Sequence, residues 1–299
     1  VWVTKICLIT ISIVAVLVLG SPVGDTGAKE KIPWMITHWP PVMELDESRQ
    51  MITGGQWGGQ LQLLQKRLPN YDHTLINMSW SRFWHVVENG ENLCNCMVLK
   101  NKEREETVVF SIPATIILPN QIIMKRTRAA LLGDPDSLSL ATLLTGGKLK
   151  GMFIMKRSYG AGIDGIIDRY KTSFNLETSV VNEKSNIMKL LHDRGDYIIE
   201  YPFTVNEIMG HHFPERKDEL VNIPIQEVDP FYFVYFACPK TPWGRSVIKD
   251  VNKALGFLRS DEQFRSQLEK MYTREQLNTV WKLYDTHLLS PVKESSGPP

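Results

Sequence analysis

The chain lacks an excess of either charge. Lys and Arg number 34 against 33 Asp and Glu, a formal net charge of +1. The basic residues are dispersed, with no long block, which argues against nucleic acid or another polyanion as partner. The common catalytic signatures are missing as well: there is no Gly-x-Ser-x-Gly elbow, no His-Glu-x-x-His and no Walker loop. The seven histidines, His38, His73, His85, His192, His211, His212 and His287, form no spaced group. Cysteine is sparse. Cys7 sits in the first apolar run, which leaves Cys94, Cys96 and Cys238. A Cys-x-Cys pair with no further ligands at regular spacing is not a metal site. No cofactor, metal or catalytic residue is therefore expected. Repeats and low-complexity tracts are absent, and beyond Gly20 no apolar stretch is long enough to span a bilayer.

What is present begins at the N-terminus. Lys5 is followed by an apolar run from Ile6 to Gly20, broken only by Thr10 and Ser12, and then by Gly20, Ser21, Pro22 and Gly24. This is the grammar of a secretory signal peptide, placed over 1–28, and its run of about 15 residues is short for a membrane-spanning helix. The mature protein is expected in the periplasm, soluble and monomeric. An oxidising compartment permits a disulfide. Cys94 and Cys96 are too close to pair comfortably, so one of them with Cys238 makes the candidate bridge; Cys96–Cys238 is the pairing carried forward.

Strand and helix signals alternate through the first hundred residues. Strands are expected over Ile32–Thr37, Thr74–Met78 and Asn95–Leu99. A helix carrying Leu61, Leu64 and Leu68 ends at Pro69, and Ser79 or Ser81 caps a second over Arg82–Glu88. The same alternation returns with strands over Leu149–Met155, Glu177–Val181 and Tyr197–Tyr201 and helices over Ile163–Tyr170 and Ser185–His192. An aromatic strand, Pro230–Pro239, precedes helices over Trp243–Arg259, Asp261–Tyr272 and Arg274–Thr286, and a polar tail over 290–299 is expected to be disordered. Two tandem α/β units without a long linker imply an α/β protein with two lobes.

Ligands of open α/β sheets bind beyond the C-terminal ends of strands, and the candidate residues stand there. Trp39, followed by Pro40 and Pro41, ends the first strand, and Trp80 follows the second. Their indoles could sandwich a ligand for about 0.5–2 kcal/mol each, or they could be core. Arg104 follows the third strand and could grip a carboxylate with two parallel hydrogen bonds; the alternative is one more surface arginine. Ser158-Tyr159-Gly160 lies between a strand and a helix, where free backbone N–H groups bind anions, unless it is an ordinary turn. Glu200-Tyr201 ends another strand, and a carboxylate there could hold an ammonium group. Glu200 is also the one candidate for proton transfer in an enzyme built on the same lobes.

These parts, in this order, resemble the type II periplasmic solute-binding proteins of the polar amino-acid class. Ile36-Thr37-His38-Trp39-Pro40-Pro41 is similar to the first strand and aromatic-x-Pro loop. Leu99-Lys100-Asn101-Lys102-Glu103-Arg104 with Phe110-Ser111-Ile112-Pro113 resembles the Thr-x-x-Arg and Phe-Ser-x-Pro block. Arg157-Ser158-Tyr159-Gly160 resembles the second-lobe anion turn, and Arg194-Gly195-Asp196-Tyr197-Ile198-Ile199 the strand that follows. Cys238-Pro239-Lys240-Thr241-Pro242-Trp243-Gly244-Arg245 is similar to a subgroup of exported members. The resemblance implies two lobes joined by two crossovers, lobe 1 from 29–117 plus 232–289 and lobe 2 from 118–231. It also implies that the strand bearing Cys238 lies beside that bearing Cys94 and Cys96. The ligand would sit between the lobes, with Arg104 as carboxylate grip, Trp39 and Trp80 as walls, and delivery to an ABC-type permease complex, or sensing, as the purpose. Two positions depart from the pattern. Tyr201 stands where the class carries the Asp that holds an α-ammonium, and Leu99 and Asn101 replace the Thr or Ser before the Arg. The expected ligand is a small polar, carboxylate-bearing solute.

Overall fold

The computed structural model describes residues 29–154, 157–170, 172, 176–179 and 183–289. The expected signal peptide and disordered tail lie outside the described residues, among which no helix is long and apolar enough to cross a membrane.

In chain order the first part contains β1 (Glu30–Ile36), β2 (Glu44–Leu45), β3 (Ile52–Gly54), α1 (Gln56–Arg67), β4 (Tyr71–Asn77), α2 (Trp80–Glu88), β5 (Cys94–Leu99), α3 (Lys102–Thr107), β6 (Val108–Phe110) and β7 (Thr115–Ile117). The middle part contains β8 (Gln121–Lys125), α4 (Arg126–Leu131), α5 (Leu140–Thr145), β9 (Gly151–Ile154), α6 (Ala161–Tyr170), β10 (Leu176–Ser179), α7 (Glu183–Leu191), β11 (Tyr197–Glu200), α8 (Pro202–His212) and β12 (Leu220–Ile223). The chain then returns as β13 (Tyr232–Pro239), α9 (Pro242–Leu258), α10 (Glu262–Arg265) and α11 (Arg274–Tyr284).

Two main sheets result, one per lobe. The first has the order β4-β1-β5-β13-β6, with β7 beside β13; the second has the order β10-β9-β11-β8-β12. Each holds three parallel strands followed by an antiparallel one. In the first sheet that antiparallel strand is β13, which arrives from the second lobe. In the second it is β8, which arrives from the first. Both sheets bury both faces, so their central strands read as apolar runs rather than alternations. In β1, Trp34 and Ile36 face one core cluster and Met35 the other. The second sheet likewise separates Met124, Phe153 and Ile199 from Ile123, Met152 and Ile198.

Two expectations are corrected here. Asp261–Tyr272 is not one helix: α10 gives way to a 3-10 stretch over Ser266–Lys270, a tighter winding that keeps both Phe264 and Leu268 fully buried. The disulfide joins Cys94, not Cys96, to Cys238. Register is the reason. Ala237 pairs with Asn95 across the antiparallel β5–β13 ladder, so Cys238 stands opposite Cys94. Cys96 lies two residues away and is free and buried, its thiol pushed up to about 12 by desolvation.

Candidate functional site

The first lobe builds one wall of a cleft from strand-end loops and helix starts. β1 stops at Ile36, and a tight turn holds Trp39 through Trp39 N–H donating to Met43 O at 2.9 Å. The Pro40–Pro41 peptide is cis. Gly55 then lets α1 start against this turn. Its φ is +85°, and a Cβ there would lie 2.6–2.7 Å from backbone atoms of Val42 and Met43, so only glycine fits. The close approach lets Gln56 N–H donate to Pro41 O and Trp57 N–H to Val42 O. It sets Trp57 edge-on to Trp39, with ring centroids 6.1 Å apart.

Ser79 caps α2 by accepting from Arg82 N–H, which fixes Trp80 at the helix start and Trp84 one turn on. Asn101 caps α3 in the same way, accepting from Arg104 N–H at 2.8 Å. The Arg104 guanidinium donates to Leu99 O at 2.8 Å and lies 4.6 Å from the Trp84 ring. No carboxylate among the described residues lies within ion-pair distance of it. Burial holds Arg104 below the usual arginine range, partly offset by Asp164, Glu103 and Tyr201. It is a half-buried cation that spends a donor on a backbone carbonyl rather than on a carboxylate.

The second lobe presents a wall whose charges are already matched. Arg157 makes a bidentate pair with Glu200, both contacts at 2.5 Å, and reaches Glu183 at 3.3 Å. Its guanidinium lies 5.6 Å from the Trp39 ring, 5.0 Å from Tyr159 and 5.8 Å from Tyr201. Burial works against this charge, but Glu200, Tyr159 and Glu183 together raise Arg157 above the usual arginine range. The Ser158–Gly160 turn, expected as an anion site, is occupied by the protein's own carboxylate. Ser158 Oγ–H and Tyr159 N–H donate to Asp164 at 2.5 and 2.7 Å. Asp164, in the first turn of α6, supplies the negative charge that a helix start favours.

Of the eight expected site residues, Trp39, Trp80, Arg104, Ser158 and Tyr201 line one inner cavity of about 100 Å³. The other three do not line it. Tyr159 is buried in the second core, its hydroxyl accepting from Ile154 N–H at 2.8 Å. Gly160, at φ +109°, packs under the Tyr232 ring and borders a separate recess with Leu99, Lys100 and Phe231. Glu200 is 1% exposed and lies behind Arg157.

Sequence reading missed Trp57, Trp84, Arg157 and Glu183, which complete the inner lining with Met97, Leu99 and Ile154. Trp84 was detectable as the residue one helical turn after Trp80, on the same face. Arg157 stood next to the turn but offered no signal that it would fold back onto Glu200. The inner cavity leads past Trp84, Arg104, Ile154, Arg157 and Ser158, which border both spaces, into an outer recess of about 450 Å³.

Two contacts bind the walls together behind the cleft. Trp39 Nε1–H donates to Thr204 Oγ1 at 3.2 Å. Tyr201 and Phe203, stacked at 5.0 Å, leave the second lobe and enter the core of the first.

No protein-family model matches this chain, and no curated protein matches it in sequence. Solved structures do. A probable amino-acid ABC transporter extracellular-binding protein of Bacillus subtilis is 19% identical with a TM-score of 0.59, over 82% of this chain and 99% of that one. A histidine kinase sensor domain with similarity to periplasmic binding proteins is 14% identical with a TM-score of 0.62, over 82% and 96%. An ancestral arginine-binding protein bound to arginine is 16% identical with a TM-score of 0.60, over 81% and 98%. At these identities the likeness establishes the fold: two α/β lobes of the periplasmic-binding-protein type, spanning almost the full length of each relative.

Proposed function

We propose that this chain is an exported solute-binding protein that captures a small carboxylate-bearing ligand between its two lobes, for delivery to an ABC-type membrane permease complex. The observation that carries the reading is Arg104. Arg104, half-buried and without an ion-pair partner among the described residues, lies on the lining of an aromatic cavity in a fold whose relatives include binding proteins. The likeness to a protein described as extracellular-binding supports export. An enzymatic role finds little support. Glu200, the candidate for proton transfer, has both oxygens committed to Arg157.

A thermal-shift screen of the mature chain against amino acids, organic acids and polyamines tests the proposal. A ligand that binds only the folded state raises the melting temperature by mass action. Folded protein that no solute stabilises would remove the capture reading. A second purpose for the same site, ligand sensing, is favoured by the likeness to the histidine kinase sensor domain. A neighbouring permease and ATPase gene pair would indicate transport, and a neighbouring sensor kinase gene would indicate sensing.

A further inference from the structure

We propose that the cleft takes a zwitterion whose two charges are set apart, an ω-amino carboxylate, with its carboxylate on Arg104 and its ammonium against Glu183. This deepens the solute-capture reading above and rests on it.

The charges around the inner cavity leave one of each sign over. On the second lobe Arg157 is matched by Glu200, which gives it both oxygens at 2.5 Å. Glu183 touches the same guanidinium with one oxygen only, at 3.3 Å. One cation thus serves two carboxylates, and no other cation among the described residues lies within ion-pair distance of Glu183. On the first lobe Arg104 is the opposite case. It bonds Leu99 O, and no carboxylate among the described residues lies within ion-pair distance of it. Arg104 and Glu183 line the same inner cavity. A ligand with one charge of each sign gives both a partner as it leaves water.

The placement of the two residues sets the charges apart. Arg104 stands on the first lobe, in α3, and Glu183 opens α7 on the second. Glu183 is the one carboxylate on the inner lining. Glu88, Glu103, Asp164 and Asp168 border the outer recess and not the inner cavity, and Asp164 already accepts from Ser158 Oγ–H and Tyr159 N–H. The charges that act on Arg104 include Asp164 and Glu103, whereas Glu183 acts on Arg157. An ammonium at the far end of a chain reaches from one wall to the other, and its binding joins the two lobes.

The rings and the apolar lining fit the same ligand. Arg157 lies over Trp39 and Tyr201, and Arg104 over Trp84. Trp57 and Trp80 line the cavity as well, and no cation among the described residues lies over either ring. They remain for cation–π contact with the ligand's ammonium. Met97, Leu99 and Ile154 offer apolar surface to the methylene chain between the charges.

The test is calorimetric titration of the mature chain with isomers that differ only in where the ammonium stands. The pairs are 4-aminobutanoate against 2-aminobutanoate, 5-aminopentanoate against 2-aminopentanoate, and 6-aminohexanoate against 2-aminohexanoate. Hexanoate serves as the carboxylate alone and hexylamine as the ammonium alone. At least one ω-amino acid is expected to bind, at least about tenfold more tightly than its 2-amino isomer and than either single-charge probe. Glu183→Gln and Arg104→Gln, each checked for unchanged circular dichroism, are each expected to weaken that binding by about tenfold or more. If a 2-amino isomer binds as tightly as its partner, or if Glu183→Gln leaves the affinity unchanged, the proposal is overturned and solute capture stands. If none of these probes binds while another solute in the thermal screen does, the proposal again falls alone. If no solute of any kind binds the folded protein, both readings fall.

Discussion

The two lobes share a sheet plan but divide the polar chemistry of the cleft unequally. On the second lobe, Arg157, Glu200, Ser158, Tyr159 and Asp164 bond one another. On the first, Arg104 stacks on Trp84, and no carboxylate among the described residues lies within ion-pair distance of it. The difference teaches that a polar side chain at a strand end is not yet a binding group. It becomes one only if the protein leaves it unmatched. The first lobe is also the one stapled by a disulfide, between neighbouring strands β5 and β13.

The staple offers the largest test of this contrast. Cys94 and Cys238 are 144 residues apart in sequence, and closing so long a loop is worth about 4–5 kcal/mol in the chain-entropy model. The Cys94→Ala/Cys238→Ala double variant should lose up to that amount in urea unfolding. Hydrogen exchange should quicken in β5 and β13 and stay slow in β9 and β11. Equal quickening in both sheets would mean that the lobes unfold as one unit.

Next in size is the internal pair of the second lobe. Glu200→Ala leaves the buried Arg157 with only its 3.3 Å contact to Glu183, and removing one partner of a buried pair costs up to about 3–5 kcal/mol. Chemical denaturation would read the loss. A cost near zero would place Arg157 in solvent rather than in the pair.

Arg104→Ala should behave in the opposite way. With no internal partner to orphan, it should change stability little. It should weaken a carboxylate ligand by about 1.5–3 kcal/mol, the value of a charge-assisted hydrogen bond. Unchanged affinity would put Arg104 outside the site.

The smallest effect concerns pH, and again it belongs to the first lobe. Trp34 Nε1–H donates to His73 Nδ1 at 3.0 Å, so Nδ1 must stay unprotonated and Nε2–H faces Leu68 O at 3.1 Å. Burial holds His73 and His38 below the ordinary histidine value of 6.5. As pH falls the unfolded chain takes up these protons first, so stability is lost from about pH 6.5 downward, through the lower folded values. Melting temperatures between pH 7 and 5 should show this decline, and His73→Gln should lessen it.

Much of the fold was legible because its signals are local. An apolar run closed by Pro40 and Pro41 marks β1, and Ser79 marks the start of α2 by the geometry of its own side chain. The walls of the site were half legible for the same reason: Trp39, Trp80 and Arg104 sit at strand ends that the sequence marks directly. What could not be read was pairing between distant residues. Nothing near Ser158 announces that Asp164 will fill the turn, because only the helical pitch of α6 brings its carboxylate back. Nothing near Glu200 announces Arg157, 43 positions earlier. The cysteines show the same limit. Choosing between Cys94 and Cys96 requires the register of β13, and that register shifts between Tyr235 and Ala237, where no sequence pattern marks it.

The entry of Tyr201 and Phe203 into the first core has a mechanical consequence. Two-lobed proteins of this plan open by rotation about their crossovers. Here a third attachment lies beside those two, and it is made of stacked rings rather than extended chain. A rotation that passes through the rings leaves them seated. Any other must draw them into water, at about 1.5–3 kcal/mol for each large apolar side chain exposed. The plug therefore acts as a latch: any movement of the lobes that withdraws the rings must first supply the free energy of wetting them.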